Sequence, residues 1–152
     1  METSTAIAHN FALHLVVDDV DRSITWYQEA LGATVTRILR MPDGSVATAD
    51  LDIDGLGVAV ASPVPGTTLS TPSASGTSVA AYRLTTDDAD ASMRRALAAG
   101  ATPNVEVHDE FWGVRTGEVL DPSGHRWAFD QPVRVVSNEE IEQRLAELVR
   151  GH

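Results

Sequence analysis

Four residues of this sequence have the types and the phase to act together: His14, Arg83, Arg126 and Asp130. Each lies in a run that alternates apolar residues with small or ionisable ones, and side chains along a strand alternate faces. In residues 125–130, Trp127 and Phe129 share one face while Arg126, Ala128 and Asp130 share the other. In residues 11–17, Leu13, Leu15 and Val17 oppose Ala12 and His14, and in residues 79–85, Tyr82 and Leu84 oppose Ala81 and Arg83. In residues 56–62, Val58 and Val60 oppose Ala59 and Ala61. The apolar faces need a core. The opposite faces mix methyl groups with a few ionisable ones, as a preformed pocket wall does. The alternative is that these charges sit at sheet edges in water.

On the pocket reading, His14 and Asp130 are the candidate catalytic pair, a base and its orienter. Alternatively His14 is a single histidine hydrogen-bonded within a mostly apolar wall. Arg83 and Arg126 can grip a carboxylate, phenolate or phosphate bidentately, or they can neutralise Asp130. Phe111 and Trp112 lie between strands, where a bulky apolar pair needs somewhere to go. They either cover the pocket and stack on a planar ligand, or anchor the loop, or meet a second copy of the chain. With Ala59 and Ala61, these six complete the candidate ligand-binding set. Tyr27 is expected in the core and Trp26 at an interface; His108 and His125, at strand ends or turns, are expected to face solvent.

Positioning these residues takes two similar sets of elements. Asp121-Pro122-Ser123-Gly124 is a turn signal, with proline presetting φ and glycine tolerating a positive one. Its flanks, residues 116–120 and 125–130, read as antiparallel strands. Upstream, residues 11–17 form a strand, and Asp18-Asp19-Val20-Asp21 supplies N-cap candidates for a helix that runs to about Leu31 and stops at Gly32. Strands over 34–41, 45–53 and 56–62 follow, with turns at Pro42-Asp43-Gly44 and Asp54-Gly55. Residues 63–77, rich in Pro, Ser, Thr and Gly, read as a flexible connector. The order then recurs: a strand over 79–85, Asp87-Asp88-Ala89-Asp90, a helix ending at Gly100-Ala101, and strands over 103–108, 114–120 and 125–130. This is a duplicated βαβββ unit. The fold class is α+β in a single domain, 1–152, with units at about 10–62 and 78–131. A tail over 132–152 closes with Ser137-Asn138-Glu139-Glu140, a capping box before a final helix. Residues 1–9 read as a frayed end.

A chain of 152 residues can bury a conventional core, and with no cysteine it has no disulfide, thiolate metal site or cysteine nucleophile. The net charge of −11 opposes nucleic-acid binding, which needs a basic footprint. It suits solubility, or attraction of a cationic ligand. All 11 basic residues are arginine, the mark of a GC-rich genome more than of a mechanism. Apolar runs fall short of the roughly 20 residues that cross a bilayer, and the N-terminus lacks a signal-peptide layout. The expectation is a cytoplasmic protein without a membrane partner.

The paired units, the segment from Val17 to Tyr27 with Leu31-Gly32-Ala33, and Asp121-Pro122-Ser123-Gly124-His125-Arg126-Trp127 resemble the vicinal oxygen chelate superfamily. It includes glyoxalase I, extradiol dioxygenases, fosfomycin resistance enzymes and bleomycin resistance proteins. Phe111-Trp112-Gly113-Val114-Arg115 and the tail around 135–141 resemble a subgroup labelled after a phosphonate-operon protein or a demethylubiquinone methyltransferase. The resemblance implies that each unit curls its mixed sheet into half of a cup, and that the protein is a homodimer. Catalytic members hold a divalent metal by His or Glu from the first and last strands of each unit. Carried over by the spacing of the two Asp-rich motifs, those positions here are Ala12, Ala59 or Ala61, Ala81 and Ala128. A methyl group cannot ligate a metal. The resemblance thus implies a metal-free, cofactor-free cup that binds a small aromatic or heteroaromatic molecule, as in the bleomycin-resistance branch. A metal-independent isomerase or cyclase using His14, Arg83 and Asp130 is the alternative, and a metal-dependent lyase or dioxygenase a third.

Overall fold

The computed structural model describes residues 9–151. The expectation of a frayed end over residues 1–8 lies outside the described residues. His9 is pinned, its ring 2.8 Å from the Asp52 carboxylate. A Cβ on Gly57 would stand 2.8 Å from that ring, so glycine provides the space it occupies.

The first unit comprises β1 (Ala12–Val16), α1 (Val20–Leu31), β2 (Thr34–Arg40), β3 (Val46–Ile53) and β4 (Leu56–Ala61). A short helix, α2 (Pro72–Ser75), interrupts the connector. The second unit comprises β5 (Ala81–Thr85), α3 (Ala89–Ala98), β6 (Thr102–Asp109), β7 (Val114–Leu120) and β8 (Arg126–Pro132), and α4 (Asn138–Arg150) ends the chain. In each Asp-rich motif the second aspartate caps the helix: Asp19 accepts from the Arg22 N–H and Asp88 from the Ala91 N–H. Gly32 closes α1 at φ 69°, whereas α3 ends one residue before its glycine, on Ala99.

The strands form two four-stranded mixed sheets, ordered β1-β4-β3-β2 and β5-β8-β7-β6. In each, the first and last strands of the unit run parallel and the other pairs antiparallel. The apolar faces expected from alternation pack beneath the helices. Leu15, Val17, Val58, Val60, Trp127 and Phe129 are buried in one cluster with Tyr27 and Met93, and Tyr82 and Leu84 pack against its margin. Trp26 also belongs to this core, edge-on to Tyr27 at 4.9 Å, and is not at an interface. Among the described residues no helix is long and apolar enough to cross a membrane.

The units meet through a buried polar junction. Tyr27 on α1 donates its hydroxyl proton to Asp121 and accepts from the Trp127 indole N–H at 3.1 Å. His125 is buried, Nε2 donating to the Val16 carbonyl at 2.7 Å, so the solvent-facing expectation fails there. The turn of 121–124 is wedged between the units, and the residue leaving it enters the core.

The connector is not flexible throughout. Ser73 Oγ donates to Asp18 at 2.6 Å, and Ser123 Oγ accepts from the Asp18 N–H at 2.9 Å. The Ser73 N–H meets the Ser123 carbonyl at 3.0 Å, and Thr71 is buried. Residues 71–78 are therefore tied to both units, while 63–70 stay on the surface apart from what they cover.

Candidate functional site

Strand pairing fixes which residues share the face turned away from the helices, because cross-strand neighbours point the same way. In the second unit one row runs Arg83, Ala128, Glu118, and the next runs Thr85, Asp130, Thr116. The row on the other side runs Ala81, Arg126, Leu120. In the first unit the corresponding rows are His14, Ala59, Asp50, then Val16, Ala61, Thr48, and Ala12, Gly57, Asp52. The duplication thus repeats a pattern of polar residue, methyl group and carboxylate across three strands.

Arg83 forms a two-pronged ion pair with Asp130, with Nε to Oδ2 and Nη2 to Oδ1 each at 2.7 Å. Thr116 Oγ1 donates to Asp130 Oδ1 at 2.7 Å and receives Arg83 Nη2 at 3.1 Å. Burial acts to raise the Asp130 carboxyl, but the Arg83 and Thr116 hydrogen bonds and the Arg83 charge outweigh it and hold it below the usual carboxylate range. Arg126 Nη2 lies 2.9 and 2.8 Å from the two oxygens of Glu118, whose side chain is only 7% exposed. Arg83 Nη1 approaches the same carboxylate at 3.9 Å, so two guanidinium groups and two carboxylates form one lattice around the Ala128 methyl. Arg83 and Arg126 keep side chains that are 45% and 39% exposed, whereas Glu118 is almost closed off.

Arg83, Arg126 and Asp130 are therefore brought together, and Ala128 lies among them. His14 is on the other sheet and has no hydrogen bond to Asp130 among the described residues, while both oxygens of Asp130 are engaged elsewhere. Ala59 lies beside His14 and Asp50, and Ala61 one row further along. Asp50 is bound by Arg37 Nε at 2.8 Å, much as Glu118 is bound by Arg126.

Phe111 and Trp112 form an edge-on pair, ring centres 4.9 Å apart. The Arg144 guanidinium of α4 stands 5.7 Å over the Phe111 ring, and Arg134 donates to the Phe111 carbonyl at 3.1 Å. Phe111 thus holds the tail, leaving Trp112 as the exposed ring of the pair.

Glu118, Thr116 and Asp50 share these faces, and sequence reasoning missed them. Alternation along β7 groups Thr116 with Glu118, but only the pairing register assigns that group to the face of Arg83, Ala128 and Asp130. The available signal was an acidic residue mid-strand between uncharged neighbours, Ala49 and Leu51 or Gly117 and Val119.

His108 is exposed at the end of β6, as expected. Its Nδ1 donates to the Glu106 carbonyl at 2.9 Å and its Nε2 meets Glu110 at 2.6 Å. With acceptors on both ring nitrogens the protonated ring is favoured, so the Glu106 carbonyl first and Glu110 second raise it above the ordinary 6.5. A raised histidine contributes stability that is complete below the unfolded value and lost as pH rises through the folded one. An NMR titration should place the His108 midpoint above 6.5, and Glu110→Gln should bring it down.

Among the described residues, no three His, Asp or Glu side chains are grouped so as to hold a metal ion. The sequence profile of the Glyoxalase/Bleomycin resistance protein/Dioxygenase superfamily matches residues 7–129. The uncharacterized protein Rv0887c of Mycobacterium tuberculosis H37Rv is 40% identical over 136 residues, 88% of this chain and 80% of that protein. A gene product of Arabidopsis thaliana, AT5G48480, is similar in structure with a TM-score of 0.67 and 30% identity, over 82% of this chain and 99% of that one. TnmS3, an antibiotic binding protein from Streptomyces sp. CB03234, shares the fold with a TM-score of 0.59 and 20% identity, over 85% of this chain and 99% of that one.

Proposed function

The chain belongs to the Glyoxalase/Bleomycin resistance protein/Dioxygenase superfamily, and from that premise we propose that it is a metal-independent small-molecule-binding protein. Its ligand is a small aromatic or heteroaromatic molecule held on the pocket face of the second unit, with Arg83 meeting the ligand's polar end and Trp112 available for stacking. A homodimer is part of the same reading. Helix α4 carries Ile141, Leu145 and Leu148 on one stripe and buries none of them, and 13 residues alone make a marginal helix in water.

One observation carries the reading. The positions that the resemblance assigns to metal ligands in this unit are Ala81 and Ala128, and the carboxylates of the neighbouring Asp130 and Glu118 are hydrogen-bonded to Arg83 and Arg126. A divalent cation needs at least three free N, O or S donors, and this wall offers guanidinium groups instead. The donor set does not fit a metal.

A lattice of matched charges suits recognition. Arg83 keeps a partly exposed guanidinium, planar and multiply donating, oriented by Asp130 before a ligand arrives. Arg83→Met should weaken 1-naphthoate binding about tenfold, the worth of one charge-assisted contact at a partly exposed site. Isothermal titration calorimetry checks this: an affinity equal to that of the unaltered protein would remove Arg83 from the site.

A further inference from the structure

A cavity lies away from the arginine–carboxylate lattice. It occupies the gap between β1 and β5, beneath the connector, with a volume of about 390 Å³, within the range of roughly 300–1,000 Å³ typical of small-molecule pockets. His14, Tyr82 and His125 line it from the two units, and Thr68, Leu69 and Ser70 line it from the connector. The segment is held there because the following residues are tied down, Thr71 by burial and Ser73 by its bonds to Asp18 and Ser123.

Its chemistry differs from that of the lattice. No Arg, Asp or Glu lines it, although the chain carries a net charge of −11. Neither the His14 ring nor the Tyr82 hydroxyl has a hydrogen-bond partner among the described residues. His125 gives its Nε2 proton to the Val16 carbonyl, leaving Nδ1 an acceptor in the neutral ring. The lining thus combines residues that carry hydroxyl and imidazole groups with the apolar residues Leu15, Val16 and Leu69. A charged ligand would enter without a counter-charge, which is costly in a partly closed site. An uncharged ring bearing a hydroxyl matches the wall, donating to an imidazole nitrogen and accepting from Tyr82.

We infer that this cavity is a distinct binding site for an uncharged hydroxyaromatic molecule, held by His14 and Tyr82 under the connector. The inference shares with the proposed function only the premise that the chain binds small molecules.

The test is a titration of the ¹⁵N-labelled full chain with 2-naphthol, followed by NMR, and with 2-naphthoate as the charged comparison. The expected result is saturable 2-naphthol binding with shifts at Leu69, Ser70, His14 and Tyr82. Tyr82→Phe, which keeps the ring beside Trp127 at 5.2 Å, should weaken it about tenfold, and His14→Ala by a similar factor, one hydrogen bond each. 2-Naphthoate should leave these amides unmoved. The inference is overturned by absence of 2-naphthol binding, by shifts confined to residues 116–118 and 126–130, by unchanged affinity in both variants, or by equal binding of 2-naphthoate in the cavity. None of these results bears on whether 1-naphthoate binding depends on Arg83, so the two proposals fail separately.

Discussion

Asp121→Ala should destabilise the fold by about 3–5 kcal/mol, the largest effect expected of any single polar substitution in this chain. Asp121 is buried and receives the Tyr27 hydroxyl together with the Ser123 and His125 backbone N–H groups, the last two at 2.9 Å. Alanine leaves three donors without an acceptor in a junction that water cannot freely enter. The loss falls between the units, since Tyr27 belongs to α1 and Trp127, which donates to Tyr27, to β8. Asp121→Asn keeps an acceptor for the two backbone groups and should cost less. Burial raises the Asp121 carboxyl, against the opposing pull of its hydrogen bonds. A raised carboxyl contributes stability that is full below its unfolded value and lost as pH rises through the folded one. The asparagine variant therefore gains on the unaltered protein as pH rises through the folded Asp121 midpoint, and urea unfolding at several pH values reads the difference.

Gly113→Ala should cost about 2–4 kcal/mol, from a backbone region that L-residues avoid combined with a direct clash. Gly113 has a φ of 93°, and a Cβ there would stand 2.2 Å from the Arg134 carbonyl oxygen. Relief requires moving the tail, because the Val133 and Arg134 N–H groups both donate to the Gly113 carbonyl, at 2.9 and 3.2 Å. The variant should loosen residues 133–151 before it unfolds the sheets. Trypsin cleavage after Arg134 or Arg144 should accelerate well before the cooperative transition is reached, whereas cleavage at the unaltered rate would mean the tail adapts without strain.

Much of the architecture was legible because it is written in short-range patterns. Period-two alternation located β1, β4, β5 and β8, turn signals and the recurring element order located the other four strands, the Asp-rich motifs located the starts of α1 and α3, and Asp121 to Gly124 marked the turn before β8. Those features depend on residues within one or two turns of each other. What escaped depends on contacts between distant segments. Asp18 reads locally as a cap candidate, yet Asp19 caps the helix and Asp18 ties the connector to the second unit across 55 and 105 residues of sequence. His125 follows a turn and so reads as exposed, until the turn is seen to fill the space between the units. His9 reads as part of a terminus, until Asp52 and the vacancy at Gly57 are brought to it.

The faces turned away from the helices divide the same way. Arg83, Arg126, Ala128 and Asp130 could be grouped by parity within their own strands. Their partners Glu118 and Thr116 required the register of β7 on β8, and the separation of His14 from Asp130 required both sheets. Composition indicated that the walls would be sparing in metal donors. The register shows that the carboxylates nearest to them are already paired with arginine.

The most direct test of the account is calorimetric titration of chelator-treated protein, shown by elemental analysis to be free of Zn, Fe, Mn and Ni, with 1-naphthoate and related aromatic carboxylates. The account predicts saturable binding with the same affinity before and after chelation, and recovery of the ligand chemically unchanged. Binding that appears only when a divalent metal is restored, or conversion of the ligand to a product, would contradict it.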